Sequence, residues 1–281
     1  MDIYRHENKV IVENLENFDF ADTFGCGQCF RFDRTGDGEF GGVAHGKYLA
    51  VSQAGGKICF GASPGDFDGI WRDFFDLDRD YEKIFAVLRR NETLKAALDF
   101  CSGIRILKQE PFECLISFII SQNNNIPRIK KIIESLCENF GEKIIHGERE
   151  KAYFAFPGAE RLAGLSVSDL GVIRSGFRAR YILDAAKKVA SGEIDLASVY
   201  RMGVGEGEKY LRRIVGVGAK VAACVLLFSY GKLDAFPVDV WIKKVLAKYY
   251  GGVDYMQIFG DLAGIANAYL FYYEREGAKR L

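Results

Sequence analysis

Two side chains in the last third of this chain have the types and spacing for covalent chemistry on a sugar. Lys220 follows a Gly-Val-Gly turn (Gly216, Val217, Gly218) by two residues, and Asp239 stands nineteen residues beyond it, after Pro237 and Val238. A lysine at a helix start meets the positive end of the helix dipole, and apolar neighbours add to the pressure against its charge. An amine so placed can act as a nucleophile and form a Schiff base with an aldehyde carbon. A carboxylate at a helix start is held ionised, and it can steady a developing cation or carry protons.

Three helices must position this pair. Glu206 to Val215 is predicted helical, with Tyr210, Leu211 and Ile214 apolar. Lys220 opens the apolar run Val221 to Tyr230, and Gly231 is a stop signal. Asp239 opens a further helix, Val240 to Tyr250. Helix, glycine hairpin, helix is a way to hold a nucleic-acid phosphate: Gly216 and Gly218 let the backbone approach, and N–H groups at the second helix start point at the anion. The plainer reading is a non-catalytic hairpin that grips phosphate, with Lys220 a surface charge.

Composition neither suggests nor forbids this chemistry. The chain has 281 residues, 49% apolar and 27% charged, with a formal net charge of zero. That is ordinary globular composition, long enough for two or three small domains. Zero net charge argues weakly against nucleic-acid binding, but the charge is uneven. Arg128, Lys130 and Lys131 cluster, as do Arg174, Arg178 and Arg180, while Asp66 to Glu82 is acid-rich. Basic patches on a neutral whole predict modest non-specific affinity.

No run of apolar residues is long enough for a membrane span, and the opening MDIYRHENK has no apolar signal core. A cytoplasmic protein, working with the chromosomal DNA and without membrane contact, is expected. The seven cysteines (26, 29, 59, 101, 114, 137 and 224) are odd in number and mostly in apolar segments, as for reduced thiols. Cys26 and Cys29 form a C-x-x-C, but no second pair or nearby histidine completes a metal set, so neither metal nor cofactor is expected.

The chain falls into two halves. Residues 1 to about 100 are rich in glycine and alternating apolar residues (KVIVEN, QCFRF, KYLAV, KICF), which read as antiparallel strands. From Pro111 onward helical periods dominate. Ile126, Ile129, Ile133, Leu136 and Phe140 share a face ended by Gly141; Tyr181, Ile182, Ala185, Ala186 and Val189 share another ended near Gly192. Ser166 with Asp169 reads as a helix cap and first-turn acid. The expected fold class is α+β: an N-terminal antiparallel β-sheet domain, then two mainly α-helical lobes containing the helix–hairpin–helix, with a cleft between them.

The hairpin, Lys220 and the Pro-Val-Asp at 237–239 resemble the helix–hairpin–helix DNA glycosylases with a Gly/Pro-rich loop and aspartate, and among them the 8-oxoguanine DNA glycosylase/AP lyases. The resemblance extends to GQCFRF (27–32), GIRILKQEPFECLISFIISQNNNIPRI (103–129), SGFRARYI (175–182) and GDLAGIANAYLF (260–271). It implies a β-rich domain over 1–105, a helical glycosylase domain over 106–258, and a C-terminal helix over 259–281 that completes the base pocket. Iron–sulfur relatives carry four cysteines after the aspartate; no cysteine follows Cys224, so that branch is excluded.

The resemblance also implies roles. Lys220 would attack C1′ of the damaged nucleotide, assisted by Asp239. A base inside a duplex must be extruded and the gap filled. Asn123 would enter the gap, Arg128 and Arg178 would read the orphaned cytosine, and Phe177 would wedge the neighbouring step. The alternatives are an αL turn for the asparagines, and phosphate contact or a solvated face for the arginines. The carbonyl of Gly27 would accept the N7–H that only the oxidised base carries, with Phe271 and Cys224 sandwiching the base; periodicity alone would make both core residues. Asn267 replaces a glutamine that reads the base edge, and Trp241 replaces a histidine near the phosphate. The resulting expectation is a monomer that excises 8-oxoguanine from double-stranded DNA, preferably opposite cytosine, and cleaves the abasic site by β-elimination. A helix–hairpin–helix glycosylase of other specificity would not need Lys220, and a non-catalytic DNA-binding protein would need neither Lys220 nor Asp239.

Overall fold

Alternation of apolar residues in the first sixty positions builds one antiparallel sheet. The computed structural model describes residues 1–145, 152–251 and 254–277. Strands β1 (Asp2–Arg5), β2 (Val10–Glu13), β3 (Phe32–Gly36), β4 (Glu39–Ala44), β5 (Lys47–Ala54) and β6 (Lys57–Phe60) lie in the order β1-β2-β6-β5-β4-β3. Val10, Val12, Leu49, Val51, Ile58 and Phe60 point inward onto a phenylalanine-rich core. Within it the Phe20 ring lies 4.8 Å from Phe18, 5.5 Å from Phe75 and 5.9 Å from Phe60. Rings at such separations add edge-to-face attraction to the area they bury.

Three expectations from the sequence change here. QCFRF is not a strand: only Phe32 joins the sheet, and the Gln28 side chain turns to backbone groups of Thr23, Arg105 and Leu107. The helices Tyr81–Leu88 and Glu92–Phe100 lie within the stretch read as strand-rich, yet Tyr81, Phe85, Leu94 and Leu98 pack in the helical core. The sheet core ends at Leu77, apart from Leu107, which returns to it. The helix predicted over 206–215 runs Val204–Leu211, since residues beyond it turn into the hairpin.

The helical body is built around Pro111–Ser121, buried on every side from Phe112 to Ile120. Arg178–Ala190 and Ala219–Phe228 pack on it, and Ala263–Gly277 packs on Glu92–Phe100 and Val240–Tyr250. The last four residues of the expected C-terminal helix, 278–281, lie outside the described residues. The helix Ile126–Phe140 buries Ile129, Ile133 and Leu136, with Gly141 as its C-cap. Ser166 and Asp169 cap reciprocally, Asp169 N to Ser166 Oγ at 3.2 Å and Ser166 N to Asp169 Oδ2 at 2.8 Å. No helix among the described residues is long and apolar enough to cross a membrane.

Sheet and helical body meet along a seam where side chains satisfy backbone groups. Gln28 is fully buried; its Nε2 donates to Thr23 O (3.0 Å) and Arg105 O (2.7 Å), and its Oε1 accepts from Leu107 N (2.9 Å). Gln109 Nε2 donates to the Gln28 carbonyl at 2.8 Å. Arg105 donates to Asp76 O at 2.8 Å and to Glu16 O at 3.1 Å, 4.4 Å over the Tyr81 ring. Removing one partner from such a network leaves the others unpaired in the dry interior. Gln28→Met, similar in volume but without donor or acceptor, is expected to lower unfolding free energy by about 2–4 kcal/mol, read from urea unfolding midpoints.

Candidate active site

The hairpin is held from behind by the helix Arg178–Ala190. Asp184 Oδ2 accepts from Val215 N at 2.7 Å, and Lys188 Nζ donates to Arg213 O at 2.7 Å. Gly216 has φ +83, and a Cβ there would stand 2.3 Å from the Tyr181 ring, so both backbone and packing demand glycine. Gly218 differs: a Cβ would meet nothing within 4 Å. It is the N-cap of Ala219–Phe228, and no side chain caps that helix. Its leading N–H groups therefore stay available to an anion, as expected of a phosphate grip.

Beyond the hairpin, a slot of about 60 Å³ gathers the residues singled out from the sequence. Lys220, Asp239, Gly27, Cys224, Asn267 and Phe271 all line it. Ordinary ligand pockets run to roughly 300–1,000 Å³, so this slot is small beside them. Phe118, unremarked in the sequence, forms part of the wall: Lys220 Nζ lies 5.0 Å from its ring centroid. Phe118 belongs to a helix buried on every side, where burial marks no single residue out.

Asp239 caps the helix Val240–Tyr250. Its Oδ1 accepts from Trp241 N (3.0 Å) and Ile242 N (2.8 Å), and Oδ2 makes neither bond. One carboxylate can thus fix its own orientation with one oxygen and offer the other to the slot. Asn267 is buried and its Nδ2 donates to Pro237 O at 3.0 Å, which braces the turn that carries Asp239. That bond uses one of the two N–H donors of its amide. Cys224 is buried, and that burial pushes its thiol up, partly offset by the nearby Lys220 that bonds it. Cys26 and Cys29 are buried too, their thiols pushed up to about 12 and about 11, so neither is a ready thiolate.

The residues expected to meet the orphaned base divide in two. Asn123 is exposed with φ +47, an αL turn residue, and Arg128 is exposed beside it. Arg178 is only 3% exposed. It donates to the carbonyls of Gln122 and Asn123 (2.9 Å) and to Ser175 O (3.1 Å), so it shapes the Asn123 turn. Burial and the neighbouring Arg128 charge both push its guanidinium down from the ordinary value. Phe177 is 53% exposed and stacks on Arg178 at 4.5 Å, an apolar ring free on its outer side. Trp241 is half-buried, with Lys244 Nζ 4.7 Å from its ring.

Fold and site together are those of a DNA N-glycosylase with lyase chemistry. The chain belongs to the HhH-GPD superfamily of base excision DNA repair proteins, whose family model matches residues 116–258, and residues 10–115 match the model of the 8-oxoguanine DNA glycosylase N-terminal domain. Among solved structures it is similar to MBOgg1 in complex with a low-affinity DNA ligand, at 42% identity over 99% of both chains and a TM-score of 0.95. It is similar also to the 8-oxoguanine glycosylase/lyase of Clostridium acetobutylicum in complex with double-stranded DNA containing cytosine opposite 8-oxoG, at 40% identity over 99% of both chains and a TM-score of 0.95. Among curated proteins, the "Probable N-glycosylase/DNA lyase" of Methanothermobacter thermautotrophicus is 30% identical over 72% of each chain.

The two hairpin glycines should separate by experiment. Gly216→Ala is expected to cost about 1–3 kcal/mol of stability through strain and the Tyr181 clash. Gly218→Ala should stay within about 1 kcal/mol of the parent yet bind duplex DNA more weakly. Urea unfolding and fluorescence anisotropy of labelled duplex check the two halves.

Proposed function

We propose that this enzyme, acting as a monomer, flips 8-oxoguanine out of duplex DNA, releases it through Lys220, and cleaves the strand by β-elimination. The observation that carries the reading is the meeting of Lys220 and Asp239 on one slot with Gly27, directly after an uncapped helix start. The Lys220 amine attacks C1′ through its nitrogen lone pair, and the glycosidic electron pair leaves with the base, which takes up the proton that the attacking nitrogen gives up. Asp239 steadies the positive charge that develops on the sugar. Ring opening gives the Schiff base, which acidifies C2′; loss of that proton expels the 3′ phosphate.

Base choice rests on Gly27. With φ +82, it carries no side chain between its backbone and the slot, so its carbonyl can accept an N7–H. Guanine presents a lone pair at N7 and would be repelled. Cytosine opposite is favoured because its N3 and O2 accept from Asn123 and Arg128, while the larger adenine clashes with the inserted turn. Arg178 supports this by holding the turn. The Clostridium acetobutylicum enzyme, solved on 8-oxoG paired with cytosine, is consistent with the assignment.

Lys220→Gln should bind 8-oxoguanine duplex yet neither release the base nor be trapped on it by borohydride; trapping at the parent level would sink the nucleophile assignment. Arg128→Ala should flatten the preference for cytosine over adenine, each good contact being worth roughly 1–3 kcal/mol. Single-turnover cleavage opposite all four bases measures this, and equal rates in the parent would show that these residues hold only the backbone.

A further inference from the structure

Arg275 brings a buried cation against the Gly27 turn with one nitrogen that nothing in the protein satisfies. It lies one helical turn beyond Phe271 on Ala263–Gly277, and 11% of its side chain is exposed. Nε donates to Glu276 Oε1 at 2.8 Å, and Nη2 donates to the Gly25 carbonyl. The guanidinium carbon lies 4.9 Å from the Phe271 ring centroid and 5.7 Å from that of Tyr272. Nη1 is buried without a hydrogen-bond partner, 3.4 Å from where a Cβ on Gly27 would stand. Buried donors on charged groups are seldom left unmade, and this one lies behind Gly27, which itself lines the slot, where a ligand acceptor drawn to that turn could meet it.

We propose that Arg275 is a specificity-determining residue of the base slot, its Nη1 donating to an oxygen that flanks N7 of the bound oxidised purine. The inference rests on the reading of Gly27 given above. In 8-oxoguanine N7 sits between the carbons that bear O6 and O8. A carbonyl on Gly27 that accepts N7–H therefore brings one of these oxygens toward the groups packed around that glycine. A guanidinium only donates, so it suits a carbonyl oxygen and disfavours an amino group in the same place. Its charge strengthens the bond, and its position against Phe271 couples the contact to the ring expected to stack on the base. The two bonds already made, to Gly25 and Glu276, hold the fork in place so that its third nitrogen is aimed before the base arrives.

The test compares two reactions of the whole enzyme. Single-turnover release of 8-oxoguanine opposite cytosine needs the base contact, whereas cleavage of the same duplex carrying a preformed abasic site does not. Arg275→Met keeps the stem over Phe271 and removes the donors. It should slow base release by roughly 10- to 100-fold, as for loss of a charge-assisted hydrogen bond, and leave abasic-site cleavage within about twofold. Base release at the parent rate, or both reactions slowed alike, would overturn the proposal, the latter by showing a merely structural brace. Should Arg275→Met fail to fold, Arg275→Leu, also without donors, reads the same two rates, with the same split expected. A parent enzyme that cleaves the abasic site but never releases 8-oxoguanine would instead sink the underlying reading of the substrate.

Discussion

Everything at the slot depends on one constraint: backbone groups buried where the sheet meets the helical body must all find partners. Gln28 meets that need with both ends of its amide, tying residues 23, 105 and 107 together, while Gln109 returns a bond to its carbonyl. Gly27 is its immediate neighbour. The carbonyl proposed to read the damaged base is therefore fixed by the same network that joins the two halves, and a loose seam would mean a loose reader. A buried network of this kind rigidifies when complete and is costly when broken.

From that seam the slot is assembled from segments far apart in the chain. The hairpin helix gives Lys220 and Cys224, the cap of the next helix gives Asp239, and the last helix gives Asn267 and Phe271. Two of them, Asp239 and Asn267, are held by bonds that are also structural. Asp239 is both a helix cap and a slot carboxylate, its cap bonds both made by Oδ1. Asn267 braces Pro237, and so sets where Asp239 points. Preorganisation of this sort is what electrostatic stabilisation of a transition state requires, since no group need reorient as charge develops.

The side proposed to face DNA follows the same economy of parts. Arg178 is taken up by three backbone carbonyls and gives the turn bearing Asn123 its shape, while Arg128 and Phe177 remain exposed. Local positive groups of this kind, together with the uncapped start of the hairpin helix, explain how a chain of zero net charge can hold a polyanion.

Much of this was legible in the amino-acid order because it is local. The helix Val240–Tyr250, its Asp239 cap, the glycine hairpin and the Ser166–Asp169 pair depend on residues within a few positions, and spacing alone announces them. Periodicity likewise gave the buried faces of the helices 126–140 and 178–190. What tertiary structure decided was which side chains are spent. Nothing in SGFRARYI says that Arg178 turns inward to three carbonyls, and nothing in QCFRF says that the Gln28 amide ties residues 23, 105 and 107 together. Phe118 reaches the slot, and Arg275 the Gly27 turn beside it, from helices whose sequence marks neither. Hydrogen-bond capacity is a property of a residue type, but its partners are set by segments tens to hundreds of positions away, and only the folded chain brings them within 3 Å.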